Sequence, residues 1–415
     1  MQVEKSVHSN NQTKRIMKNT TLSSPRLEVV DALRGFALLG IILIHNLEHY
    51  NLYFFPENQP AWLDALDKGI WETIFFTFSG KAFATFSMLF GFSFFIQMDN
   101  QARRGYDFRL RFAWRLLLLL CVFAQLHALF YNGDILVMYA LCGFMLLPVC
   151  NLSNHTVAII AFLLLLQPFE WYRMIMALLN PDYTTVIGSF SGAYGAKSFA
   201  VLETGEWKEA LYSNITDGQL FSNFWQVENG RLFQIPALFM FGMLLGRLKH
   251  FVKSDASVRF WKKVLFVGGV MFAIVYTFRL SMATYIESHT TDSFRIAYRV
   301  AIGSYQNFCF MCVLVALFTL LWFKTRTGLQ VQRILIPYGR MSLTNYISQS
   351  ILGSILYYEY GFGLWTKTGA SVSLLIAIGI FTAQLLFSRW WLSSHQQGPL
   401  EYLWKKWTWI GKKKP

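Results

Sequence analysis

Ten apolar stretches divide this chain of 415 residues, near 29 to 49, 74 to 98, 110 to 131, 135 to 150, 156 to 179, 232 to 248, 264 to 285, 300 to 323, 343 to 360 and 371 to 391. A hydrocarbon core of roughly 30 Å takes about 20 apolar residues as a helix, so each stretch is long enough, or nearly so, to cross a bilayer. The expected fold is all-α: a polytopic membrane helix bundle of about ten transmembrane helices. The fourth and fifth stretches are the weakest. The fourth is short, and Glu170, Trp171, Tyr172 and Arg173 interrupt the fifth, so nine or eleven spans also fit.

Charge orients the bundle. With the N-terminus inside, segments 1 to 28, 99 to 111, 247 to 263, 324 to 340 and 389 to 415 hold 25 Lys and Arg against 6 Asp and Glu, while the opposite loops are rich in acid. Positive charge is retained on the cytoplasmic side, and an even number of spans puts both termini there. The formal net charge of +14 is then a count of membrane anchors and not a nucleic-acid footprint. Lys412, Lys413 and Lys414, with Arg103, Arg104, Arg109 and Arg111, would face anionic head groups of the lipid bilayer.

Residues 1 to 25 are polar and carry Lys5, Lys14, Arg15 and Lys18 without an apolar run or cleavage site. They read as a disordered cytoplasmic tail and not a signal peptide, with Met17 as an alternative start and the first span as signal anchor. Residues 26 to 392 form the transmembrane domain. Residues 393 to 415 form a basic amphipathic cytoplasmic segment, where Trp404, Trp407 and Trp409 continue an interfacial belt begun by Trp390 and Trp391. The outer loop 180 to 231 is too short to be a domain. It should hold one or two short amphipathic helices over the outer mouth, where a lid or acceptor site would lie. Cys121, Cys142, Cys150, Cys309 and Cys312 all fall in apolar spans, so no disulfide framework is implied. Cys309 and Cys312 share a helix face but lack a His or acidic companion, which favours packing over metal.

Ionisable groups inside a membrane are costly and therefore informative. The first span concentrates them: Asp31, Arg34, His45, Asn46, Glu48 and His49. Asp31 and Arg34 are three apart and can pair on one face. Arg34 and His45 are eleven apart, close to three turns, so they share a face about 16 Å apart along the axis. One reading makes these an interfacial ion pair and an interfacial histidine. The other has Arg34 meeting an anion from the cytoplasm while His45 acts as general base on an acceptor at the outer side. A third takes His45-Asn46-Leu47-Glu48-His49 as an H-x-x-E-H zinc motif, for which no third ligand is evident.

The run from Arg26 to Ile41, RLEVVDALRGFALLGI, resembles the opening signature of the DUF418 (YeiB) family of bacterial membrane proteins. Gly80-Lys81-Ala82-Phe83 with Phe86 to Gly91, His127 with Asn132 to Leu136 and Tyr139-Ala140, Gly339 to Tyr346 with Gln349-Ser350 and Gly361 to Leu364, and Gly398 to Trp404 resemble its later motifs in order. The resemblance spans 26 to 404 and implies a multi-pass protein of the bacterial cytoplasmic (inner) membrane. The first-helix signature is also similar to that of the wider transmembrane acyltransferase superfamily, which includes acyltransferase-3 proteins and heparan N-acetyltransferases. Those enzymes place a His, or sometimes an Asn, eleven positions after an Arg. Many DUF418 members resemble the Asn version; this chain has His45.

That resemblance implies an acyl-CoA donor substrate, no metal, and an extracytoplasmic hydroxyl or amine acceptor on a glycan or envelope component. Phosphates would dock near Arg34, Arg103, Arg104 and Arg340, since guanidinium forks suit phosphate. His45 would be the base, oriented by Glu48 or Asp134, and Asn345 or Gln349 would polarise the thioester. Asp31, Lys81 and His127 complete the expected site. Each has a plainer role: Lys81 as a snorkelling lysine, His127 and Asp134 as caps of the hairpin and of the fourth helix, Arg340 as an anchor, Asn345 as an interhelical hydrogen bond, and Glu401 as a surface ion pair. The rival class is a transporter or flippase, with the polar stripe lining a path, although no internal repeat supports it. A homo-oligomer is compatible with either.

Overall fold

The computed structural model describes residues 26 to 410 except 58, 181 and 186 to 188. The tail 1 to 25 and Lys412, Lys413 and Lys414 lie outside the described residues. Among the described residues every regular element is a helix.

The chain opens with α1 (Glu28–Leu47), α2 (Ala61–Phe78), α3 (Lys81–Ala102), α4 (Arg109–Ala128) and α5 (Leu136–Val149). There follow α6 (Asn154–Leu165) and α7 (Pro168–Leu179), then α8 (Phe190–Thr204), α9 (Trp207–Ser213) and α10 (Gln219–Glu228) in the 180 to 231 segment, where one or two helices were expected. The second half holds α11 (Arg231–Arg247), α12 (Asp255–His289), α13 (Asp292–Lys324), α14 (Arg326–Arg333), α15 (Ile336–Arg340), α16 (Ser342–Tyr357), α17 (Ala370–Ser394) and α18 (Pro399–Thr408).

Among the described residues six helical stretches are long and apolar enough to cross a membrane: Ala61–Ala102, Arg109–Ala128, Asn154–Leu179, Asp255–His289, Asp292–Lys324 and Ala370–Ser394. The four other expected stretches correspond to α1, α5, α11 and α16. α1 is apolar but wrapped by α2, α3, α15, α16 and α17. α11 and α16, with 17 and 16 residues, rise only about 25 Å at 1.5 Å per residue, and α5 is shorter still. α12 has the opposite character. Phe266, Val267, Val270, Met271, Ile274 and Phe278 are all exposed on it, an apolar face that lipid would cover.

Two boundaries move because of the backbone. The expected span 74 to 98 is split at Gly80, whose φ of +74° ends α2 and starts α3; a Cβ there would also strike Asn307 Nδ2 at 2.3 Å. The expected span 156 to 179 breaks at Gln167, which has φ +54°, just before Pro168 at the first position of α7. The Gln167 amide donates to Gly230 O (3.0 Å) and Ser304 Oγ (3.3 Å), fixing that turn. Glu170 and Arg173 therefore do not interrupt a helix: they form a buried ion pair of 2.8 Å within α7.

Close helix contacts assemble the parts that hold the site. A Cβ on Gly91 of α3 would lie 1.9 Å from Phe239 O of α11, and one on Gly242 of α11 would lie 1.7 Å from Met88 O of α3. These backbones approach through glycine, as membrane helices do. A Cβ on Gly339 would meet Asp31 O at 1.9 Å, so the late motif packs directly on the opening signature.

α4 carries one turn of π-helix at Leu119–Phe123. In a regular helix Arg115 and His127, twelve apart, would point roughly 120° apart; the extra residue brings them within roughly 20° of one face. Both point inward.

Candidate functional site

Two cavities meet inside the bundle. The first, about 370 Å³, is basic: Arg26 and Arg34 of the α1 segment, Arg115 of α4 and Arg340 of α15 line it, with Ser93, Gln97, Ser342 and Glu401. Its arginines are held, not loose. Asp31, almost fully buried, takes Arg34 Nη1 at 2.9 Å and is also paired with Arg26, while Arg34 Nη2 donates to Ser93 Oγ at 2.9 Å. Arg115 lies with Cζ 3.6 Å from the Trp404 ring centre, a cation–π contact. Arg340 donates from Nη2 to Gln396 O at 2.9 Å, and its Nε has no partner.

The C-terminal helix closes this cavity. Trp404 Nε1 donates to Arg115 O at 3.0 Å, and Trp114 Nε1 to Trp407 O at 3.1 Å, tying α18 to α4. Glu401 is not the surface ion pair expected of it. Its carboxylate accepts Leu343 N (2.7 Å), Thr344 N (3.1 Å) and Thr344 Oγ1 (2.6 Å), so it satisfies the open N–H groups at the start of α16.

The second cavity, about 140 Å³, holds His45, Glu48 and His49 from the end of α1, Tyr131 and Gly133 from the α4–α5 turn, Phe221, Ser222, Trp225 and Gln226 from α10, and Arg231 from α11. His45 is half-buried and its Nδ1 has no hydrogen-bond partner. Its ring lies 4.7 Å from that of Tyr131 and 5.8 Å, edge-on, from that of Tyr50. Glu48 does not orient it: Tyr53 Oη donates to Glu48 Oε1 at 3.0 Å, and His49 Nδ1 stands 3.1 Å from the same oxygen. Among the described residues no three His, Cys, Asp or Glu side chains gather to hold a metal.

Phe86, Leu136, Tyr139 and Tyr346 line both cavities and form the wall between them. Tyr139 is pinned by Ser87, Oη to Oγ at 2.6 Å. Arg34 and His45 thus open into different cavities on opposite sides of this wall.

Asp134 orients a different imidazole from the one expected. Its Oδ1 is 2.7 Å from His127 Nδ1, its Oδ2 accepts Val137 N at 3.0 Å as a cap of α5, and its backbone oxygen takes Ser222 Oγ and Gln226 Nε2. His127 Nε2 meets Ser350 Oγ at 2.7 Å, and Tyr50 Oη donates to that hydroxyl at 3.2 Å. Asp134, His127 and Ser350 are fully buried and line neither cavity, but the His127 ring stacks on Tyr346 of the wall at 4.4 Å.

Three other expected residues stand apart from both cavities. Lys81 is buried, its Nζ 5.8 Å from the ring centres of Phe76 and Phe310. Asn345 joins α15 and α17, donating to Tyr338 O and Ser388 Oγ at 3.0 Å. Gln349 is buried with neither amide atom partnered. Arg103 pairs with Asp99 at 2.8 Å and, like Arg104, lies outside the basic cavity. Arg26, Arg115, Arg231, Trp225 and Gln226 were not expected. Two of them carried a signal: Arg26 as the first residue of the opening signature and Arg115 as a cation in an apolar stretch.

The family described as "Protein of unknown function (DUF418)" matches residues 245–411, the half that supplies α15, α16 and Glu401. Over those residues the chain is similar to the DUF418 family. A second family, "Heparan-alpha-glucosaminide N-acetyltransferase, catalytic", matches residues 26–196, which carry Arg34, His45 and His127. The uncharacterized protein YxaH of Bacillus subtilis (strain 168) is 28% identical over 94% of this chain and 96% of its own length. The uncharacterized protein YeiB of Escherichia coli (strain K12) is 26% identical over 91% and 95%. Apolar helices and these relatives together make this a membrane protein.

Proposed function

We propose that the chain is an acyltransferase-like membrane enzyme that moves an acyl group from a cytoplasmic acyl-CoA to a hydroxyl or amine on the other side of the bacterial inner membrane. The observation that carries this reading is the back-to-back pair of cavities: guanidinium groups on one side of a four-residue wall, an unpartnered imidazole nitrogen on the other. The match to an N-acetyltransferase catalytic family over residues 26–196 supports it.

In this reading Arg26, Arg34, Arg115 and Arg340 take the anionic end of the donor, with planar forks suited to phosphate. Asp31 and Ser93 hold Arg34 in place without occupying all its donors. The thioester arm passes the wall at Tyr139 and Tyr346 and brings its carbonyl toward His45. There His45 Nδ1 accepts the proton of the acceptor group, whose oxygen or nitrogen bonds to the acyl carbon. The carbon–sulfur bond breaks, and the CoA sulfur leaves with the proton released by the imidazole. A transporter is the second reading, favoured by the same in-line cavities, since a wall of side chains between two chambers also describes an occluded path.

Incubating the purified full-length protein with acetyl-CoA and following free CoA separates the two. Release that vanishes in a folded His45→Ala variant is the expected result. No CoA binding or release by the wild type sinks the enzyme reading.

A further inference from the structure

The cavity around His45 also describes its guest. At about 140 Å³ it is smaller than the roughly 300–1,000 Å³ of sites that take drug-sized ligands, so it admits about one ring of a larger molecule. Trp225, Phe221 and Tyr131 supply flat apolar faces. Gln226, almost fully buried, spends its amide nitrogen on Asp134 O and Ser222 Oγ and leaves Oε1 without a partner at the cavity lining. An unmet buried acceptor calls for a donor such as a hydroxyl.

The charge is supplied by Arg231. Its guanidinium lies with Cζ 3.9 Å from the Phe83 ring centre and 5.9 Å from that of Trp225, and Nη1 donates to Gln234 Oε1 at 2.5 Å. No carboxylate within 4.0 Å pairs with it among the described residues. Glu48 lines the same cavity, accepts Tyr53 Oη and acts on Arg231 without an ion-pair contact. A cation fixed on aromatic rings with no carboxylate in contact keeps donors for an anionic ligand.

We infer that the His45 cavity binds a hydroxylated ring bearing an anionic group, a carboxylate- or phosphate-substituted sugar, with Arg231 reading the charge and Gln226 Oε1 a hydroxyl. This deepens the acyl-transfer reading by naming the acceptor class, and its test does not need turnover.

Binding to the full-length protein in detergent would be measured calorimetrically with glucuronic acid, glucose 1-phosphate and glucose as probes. The wild type is expected to bind one of the anionic sugars at least tenfold tighter than glucose, and the sugar that gains identifies carboxylate or phosphate as the group read. Arg231→Gln should erase that preference, Arg231→Lys should keep part of it, and both should bind acetyl-CoA as the wild type does. Equal binding of charged and neutral sugars, no binding of any of the three, or a preference that survives Arg231→Gln overturns the inference. His45-dependent CoA release that persists alongside any of these results leaves acyl transfer standing and removes only the anionic acceptor.

Discussion

Two histidines sit within one layer of side chains of each other and differ in almost every respect. His127 is fully buried, with Asp134 at one ring nitrogen and Ser350 at the other, both at 2.7 Å. His45 is half-buried, faces a cavity and has an Nδ1 with no partner. A nitrogen already hydrogen-bonded on a packed serine has no room for substrate, whereas an unpartnered one on a residue that lines a cavity keeps its lone pair or proton for a ligand. In the proposed function the better-connected imidazole is the scaffold and the poorer-connected one the working group: the His127 ring stacks on Tyr346 of the wall, and His45 lines the cavity behind it.

The sharpest way to break this contrast is to remove each ring. His45→Ala should cost about 10²–10⁴-fold in acyl transfer with little change in thermal midpoint in detergent; a variant that keeps its activity returns His45 to the role of an interfacial histidine. His127→Ala leaves Asp134 and Ser350 without their buried partner, a loss of about 1–3 kcal/mol. It should appear as a lower thermal midpoint before any change in the donor KM. If His127→Ala instead loses turnover at unchanged stability, the two roles are exchanged.

Smaller effects sharpen the same division between holding and reacting. Arg34→Gln should raise the KM for acyl-CoA about tenfold and leave kcat nearly intact, since one charge-assisted hydrogen bond amounts to about 1.5–3 kcal/mol; an unchanged KM in steady-state kinetics would remove Arg34 from the donor site. Glu401→Ala should lower stability by about 1 kcal/mol through the lost cap of α16, visible as reduced resistance to thermal unfolding. Arg103→Ala, which breaks only an exposed pair with Asp99, should change neither stability nor KM by more than a fraction of a kcal/mol.

Features set by local geometry could be read in the sequence. The eleven-residue spacing of Arg34 and His45 survives because α1 is an unbroken helix, and Asp134 caps α5 because its carboxylate, two residues before the helix, reaches Val137 N. Features set by contacts between distant segments could not. Glu401 looked like a surface acid since its partners at 343 and 344 lie far away in the chain. Ser350 meets His127 from the far half of the chain, so its place beside that imidazole is set by the packing of α4 against α16. Arg115 reaches the basic cavity because one π-helical turn re-aims α4, a deviation that a regular period does not register. Apolar composition marks burial in lipid and burial in protein alike, so it reads α1, enclosed by its neighbours, and α12, exposed along one face, in the same way.

Glu401 carries a consequence for the order in which the molecule is completed. Ribosomes make Glu401 and Trp404 after every other residue that lines the basic cavity, yet the first turn of α16 depends on that carboxylate for its open N–H groups. Until α18 emerges and docks on α4, α16 begins uncapped and the chamber lacks its Trp404 side. A chain halted before residue 399 would lack the Glu401 and Trp404 side of the chamber and the carboxylate that caps α16.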